Sequence, residues 1–356
     1  MNISDKAKLH ADQCRFCWMC RHVCPIGNAD GQERNTARAR ALMVSLVNRG
    51  AEKLEDIADN IYECTLCGAC TNNCVTGWDP KIFIQEVKTE IVLEGKTPSY
   101  IQELLKKYLE NGTIFDSKPD YIYQKNSNDL LFLVGQNVVY NDGESVKKAI
   151  ELLSKGKENV SLEKDADDTG YTMYFLTGKT SETLDVAKKC ASTINKYKKV
   201  IVYNPVDLSF MCHEWKEWGI EVKAELVSFN KEILSLIKDG KLKVKKSQNK
   251  YSLQDNYAYA RELDDITTGR ELIDLVGDRK EMLLIGKEAN LAGNLIMNEY
   301  MPEKMALVAK NRWVNAINMG CNVLVCENPD EHVLLNKYAP EGYHSITIEE
   351  MIINNL

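Results

Sequence analysis

The chain has 356 residues and a formal net charge of −7, a length that allows two or three domains at about 100–200 residues each. Its 44% hydrophobic and 27% charged residues exclude a disordered tail or a collagen-like fibre, and the acidic balance argues against nucleic acid as the main partner. No run approaches the ~18 apolar residues of a transmembrane segment, and Met1-Asn2-Ile3-Ser4-Asp5-Lys6 lacks the apolar core of a signal peptide, so a soluble, cytoplasmic protein is expected.

In chain order, the first feature is Cys14-x2-Cys17-x2-Cys20-x3-Cys24-Pro25, with Arg15, Phe16, Trp18, Arg21 and His22 crowded into it. Thr36 to Val47 then reads as a helix ended near Gly50, and Ala51 to Glu63 as another with Leu54, Ile57, Ala58 and Ile61 on one face. The cysteine spacing returns as Cys64-x2-Cys67-x2-Cys70-x3-Cys74, with Val75 where the first run has Pro25. Asp79-Pro80 suits the start of a helix through Leu93, and Pro98 opens one ending near Gly112. From Asp129 the texture changes to short apolar runs alternating with helical patterns, which predicts α/β layers. Tyr174-Phe175-Leu176-Thr177-Gly178-Lys179 resembles Met282-Leu283-Leu284-Ile285-Gly286-Lys287. Each leads to a helical stretch and a strand ending in Asn-Pro, at Asn204-Pro205 and Asn328-Pro329. A helix, a short strand and a last helix follow each time (Phe229 to Ile237, Ile348 to Ile353), so two βαβαβα halves forming a duplicated, pseudo-two-fold domain are expected. Lys238 to Lys250 reads as a solvated linker between them. The expected units are a helical domain over 1–115, a first α/β half over 129–240 and a second over 251–356.

Three thiolates on one tight loop suit three corners of an iron–sulfur cubane, with the fourth ligand coming from elsewhere. In bacterial ferredoxins of this spacing, the fourth cysteine of each run serves the other cluster. Two [4Fe–4S] clusters are therefore expected, one held by Cys14, Cys17, Cys20 and Cys74, the other by Cys64, Cys67, Cys70 and Cys24. Zinc is the competing reading, although zinc knuckles usually supply two ligands each. No Gly-x-Gly-x-x-Gly or phosphate loop is present, so no NAD, flavin or ATP is assigned. The remaining Cys190, Cys212, Cys321 and Cys326 read as small buried hydrophobes. His213 and His332 read as helix-surface histidines, and Met211, Trp215 and Trp218 as core or interface.

A helical two-cluster domain followed by a duplicated α/β domain resembles the family that unites the D-type component of heterodisulfide reductase, the iron–sulfur component of glycolate oxidase and the C-type component of anaerobic glycerol-3-phosphate dehydrogenase. The resemblance implies a subunit of a hetero-oligomeric oxidoreductase, passing electrons between a flavoprotein or other redox subunit and an acceptor. Catalytic members also carry Cys-Cys-Gly and Cys-x2-Cys motifs in each C-terminal half. Here Leu176-Thr177-Gly178 and Leu284-Ile285-Gly286 stand for the first, Asn204-Pro205-Val206-Asp207 and Asn328-Pro329-Asp330-Glu331 for the second, and Gln136 and Asn256 fall near the single upstream cysteines. The expected function is an electron-transfer subunit with no catalytic residue of its own, its C-terminal domain serving for docking. Two alternatives remain. One is an enzyme using Asp207, Glu327, Asp330 and Glu331 at the strand ends. The other is a structural scaffold whose clusters only hold the fold.

Overall fold

The computed structural model describes residues 1–15, 17–119, 121 and 123–356. The N-terminal part is helical, with Asp5–Asp12, Met19–Val23, Pro25–Asp30, Ala37–Asn48, Leu54–Tyr62, Ala69–Asn72, Pro80–Leu93 and Ser99–Asn111. Local chemistry sets the ends. The Thr36 hydroxyl accepts from the Ala39 amide, and the Asp79 carboxylate accepts from the Lys81 amide with Pro80 in the first turn. Phe83, Ile84, Val87 and Ile91 give Pro80–Leu93 a fully buried face, each side chain contributing about 1.5–3 kcal/mol of transfer free energy.

The remainder mixes helices with two parallel sheets. Strands β1 (Leu130–Leu133), β2 (Lys199–Val202) and β3 (Glu225–Ser228) form the first in the order β1-β2-β3. Strands β4 (Lys250–Gln254), β5 (Asp278–Arg279), β6 (Val323–Cys326) and β7 (His344–Thr347) form the second in the order β5-β4-β6-β7. Leu131 pairs with Val200, and Val325 with Ile346. Successive side chains point to opposite faces, and this alternation divides the core. Leu131, Leu133, Val200 and Val202 join the apolar core of the N-terminal helices, which continues into the α/β part without a break. Leu130, Phe132, Ile201 and Tyr203 join a second core with Tyr251, Leu253, Val325 and Ile346 from the other sheet.

Two expectations are corrected. Tyr174 to Lys179 does not open a strand, because its apolar residues lie in the helix Tyr171–Thr177. Met282 to Lys287 is irregular until the 3-10 turn Gly286–Glu288. The first strands of the two sheets are instead β1 and β4. Both Asn-Pro corners do start helices, with the Asn204 oxygen accepting from the Val206 amide (2.9 Å) and the Asn328 oxygen from the Asp330 amide (2.8 Å). Among the described residues, no helix is long and apolar enough to cross a membrane.

Candidate metal centre

The two cysteine runs fold alike. In the first, Trp18 follows Cys17 in the left-handed region (φ 71°) and precedes the helix Met19–Val23 that carries Cys20. In the second, Gly68 follows Cys67 at φ 69° and precedes Ala69–Asn72, which carries Cys70. A tryptophan there is strained by roughly 1–2 kcal/mol, so the surrounding loop holds it. Cys24 caps Pro25–Asp30, its sulfur accepting from the Gly27 amide at 3.5 Å.

These folds bring the eight thiols to two neighbouring cavities. One is lined by Cys14, Cys17, Cys20 and Cys74, with Trp18, Arg38, Val75 and Trp78 around them. The other is lined by Cys24, Cys64, Cys67 and Cys70, with Ile26, Arg40, Leu66 and Ile84. Cys70 also borders the first. Each cavity therefore takes three cysteines of one run and the last of the other. Among the described residues, no three Cys, His, Asp or Glu side chains converge as ligands of a single ion would. Around a cubane, each thiolate binds its own iron.

The electrostatics fit a thiolate-bound metal group. Burial pushes Cys20 up to about 11, with Cys14, Cys24 and Cys17 adding to the shift. Burial also raises Cys24, and it raises Cys70 well above an ordinary thiol. Such crowded thiols ionise only when a cation joins them, so metal binding and folding are coupled. At Cys74 burial raises the pKa, but hydrogen bonds from Thr76, Trp78 and Gly77 outweigh it and hold the thiol below its usual value. Soft thiolates are the donor type that iron–sulfur clusters take.

One buried cation, Arg40, lines the second cavity and another, Lys88, interacts electrostatically with Cys64; sequence reading missed both. The Arg40 guanidinium donates to the Asn60 and Asn35 carbonyls (2.8 and 2.7 Å). Lys88 is 0% exposed and donates to the Phe175 carbonyl at 2.7 Å. A sequence signal existed for Lys88, since it lies in the apolar stripe of Ile84, Val87 and Ile91 on a helix. Near the first cavity, the Arg38 guanidinium stacks 3.7 Å from the Trp18 ring centre. Cys17, Trp18 and Met19 are exposed there. Phe16 lies outside the described residues.

The C-terminal positions behave differently. Asp330 accepts from Asn137 (3.0 Å) and Asn204 (3.3 Å), Asp207 accepts from Thr169, and Glu331 accepts from Asn256 (2.9 Å) and the Ala292 amide (2.8 Å). Gln136 donates to Asp168 at 3.1 Å. Asp207, Glu327, Asp330 and Glu331 are all buried within this network. Cys190, Cys321 and Cys326 are buried, and Cys212 is half-buried. His213 is exposed, its Nε2 3.0 Å from the Glu262 carbonyl. His332 departs from the surface reading. It is buried, with Nδ1 3.0 Å from the Ser345 hydroxyl, because its helix packs against β7.

The cysteine-lined cavities and the helical fold around them define a 4Fe–4S iron–sulfur protein, and the 4Fe-4S dicluster domain family model matches residues 10–78. Over a longer span, the chain is 22% identical over 280 residues to the D subunit of the dihydromethanophenazine:CoB–CoM heterodisulfide reductase of Methanosarcina mazei, covering 70% of this chain and 68% of that one. It is 24% identical over 285 residues to the corresponding protein of Methanosarcina acetivorans, with the same coverage. The chain is thus similar to the heterodisulfide reductase D subunit over 70% of its length. A solved glutamate racemase, isoform RacE1 from Bacillus anthracis, is 13% identical over 65% of this chain and 80% of its own, with a TM-score of 0.31. That likeness is too loose to bear on fold or function.

Proposed function

We propose that the chain is an electron-transfer subunit of a multi-subunit oxidoreductase, relaying electrons through two [4Fe–4S] clusters. One cluster is held by Cys14, Cys17, Cys20 and Cys74, the other by Cys64, Cys67, Cys70 and Cys24. The carrying observation is the exchange of the fourth cysteine between the two cavities. It ties the loops together and sets the clusters close enough to pass an electron. Each cluster, when bound, supplies one-electron redox chemistry, and this chain's residues hold it, exclude water and balance its charge. The exposed rim of Cys17, Trp18 and Met19 is the face where electrons cross to a partner, which we read as a flavoprotein or another redox subunit.

The same reading takes 1–115 as the cluster domain, and 129–240 and 251–356 as the duplicated, pseudo-two-fold halves of a docking domain. What supports the duplication is the matching parallel run of β1-β2-β3 and β4-β6-β7, with β5 extra in the second sheet, and the Asn-Pro helix starts after β2 and β6. A cytoplasmic location goes with this reading. The competing proposal of catalysis by the strand-end carboxylates is disfavoured by their burial in hydrogen bonds. Anaerobically purified chain is expected to carry about eight iron and eight sulfide. Stoichiometric zinc, or about four iron, overturns the two-cluster reading.

A further inference from the structure

The mouth of the cavity of Cys14, Cys17, Cys20 and Cys74 is charged against the rest of the chain. The whole chain carries −7, yet the residues lining this cavity include Arg15 and Arg38 and no carboxylate. The two stretches that bound it, 13–29 and 64–78, contain Arg15, Arg21 and His22 and no Asp or Glu. Arg34, Arg38 and Arg49 are paired with Glu63, Glu33 and Asp12, whereas Arg15 and Arg21 form no ion pair among the described residues. Arg21 lies 5.8 Å from the Trp18 ring centre. Arg40, beside the second cavity, is buried where it can balance a cluster. Arg15 and Arg21 are exposed instead, so their field acts on what approaches from solvent. The mouth is also apolar, with Val75, Met19 and Trp18 exposed by 84%, 45% and 41%.

We propose that this mouth docks an acidic redox protein, one whose own flavin or iron–sulfur centre is rimmed by Asp and Glu side chains. The proposal rests on the reading of this face as the place where electrons cross, and adds the chemistry of the partner. The partner's carboxylates meet Arg15 and Arg21, whose guanidinium forks suit bidentate pairing. Its apolar surface meets Trp18, Met19 and Val75, giving an apolar centre within a charged rim. Cys17 is exposed in the same patch, so docking brings the partner's cofactor towards a cluster ligand. Each encounter moves one electron between the cluster and that cofactor, one being oxidised as the other is reduced. A patch this small suits a transient redox encounter, which buries less than about 1,200 Å². A second copy of this chain is disfavoured, because a two-fold contact sets the patch against itself and faces arginine with arginine.

The test is stopped-flow reduction of the anaerobic, oxidised holoprotein by two viologen radicals of similar potential and opposite charge. They are the anionic propylviologen sulfonate radical and the cationic methyl viologen radical. At about 10 mM ionic strength, where screening is weak, the anionic radical should react about threefold faster than the cationic one. The preference should vanish by about 0.5 M salt. The net charge of −7 by itself dictates the reverse order. Arg15→Glu combined with Arg21→Glu should invert the preference. Arg21→Glu alone, outside the cavity lining, should shrink it, and serves if the pair fails to take up clusters. Poly-L-glutamate should slow the anionic radical at low salt in the wild type and not in the variants. A faster cationic radical, a preference unmoved by the arginine variants, or no competition from poly-L-glutamate overturns the proposal. So does a dimer in sedimentation that Arg21→Glu abolishes, since the occupant is then a second copy. Cluster reduction without charge preference leaves the relay reading standing and removes only the docking proposal, whereas no reduction by either radical removes both.

Discussion

Lys88 is the least expected residue near the cysteines. Its ammonium lies 4.2 Å from the Phe175 ring centre and 5.3 Å from that of Tyr62. Burial pulls its pKa down to about 7, against the opposing pull of Cys64. A buried cation is costly unless an anion balances it, and a cubane with four thiolates is such an anion. Lys88→Met should therefore make the cluster of Cys64, Cys67 and Cys70 harder to reduce. One charge at this range shifts the midpoint by on the order of 50 mV, to lower potential. A redox titration that leaves both midpoints in place would deny Lys88 that role. Cys24 tests the exchange of ligands directly. Cys24→Ser should damage the cluster of the second run and spare its sequence neighbours Cys14, Cys17 and Cys20. Spectral damage confined to the first run would mean that each run binds its own cluster.

At the scale of elements, the sequence was most legible where structure is local. Thr36, Asp79 and Pro80 are caps and helix starts whose chemistry acts within one turn, and those helices lie where the pattern puts them. Tyr174 to Lys179 failed for the opposite reason. A short apolar run has no period long enough to separate a buried helix from a strand, and packing against the helix Pro80–Leu93 decides it. Pairing between the two sheets was equally hidden. The Tyr203 hydroxyl, just past β2, donates to Glu349 on Ile348–Ile353 at 2.6 Å, and burial raises Glu349 to about 7. The folded state thus holds a proton on Glu349 between about pH 4.5 and 7 that the unfolded chain releases, so this group's contribution to stability falls as pH rises through that window. Glu349→Gln should remove that fall, which amounts to about 2–4 kcal/mol at most. Urea midpoints at pH 5 and 7.5 measure it. A variant that loses as much between the two pH values as the wild type contradicts the assignment.

At the scale of the whole molecule, the strand-end positions of the α/β part carry amides, carboxylates, hydroxyls and alkyl groups. Asp330 joins Asn137 and Asn204 across the two sheets, so the space at the strand ends is occupied by hydrogen bonds. Eight of the twelve cysteines lie in the N-terminal runs, and residues of the α/β part contact that region. Arg261 donates to the Cys67 carbonyl at 2.8 Å, and Lys81 pairs with Glu262 at 2.6 Å. Cluster loops and α/β part are thereby coupled through direct contacts. The central claim is a two-cluster relay within one chain, and EPR of the dithionite-reduced, anaerobically purified protein tests it most directly. Two [4Fe–4S]⁺ centres held in adjoining cavities should integrate to about two spins per chain, with the broadened lines of mutual spin coupling. A single uncoupled centre, or an EPR-silent protein containing zinc, would contradict the account.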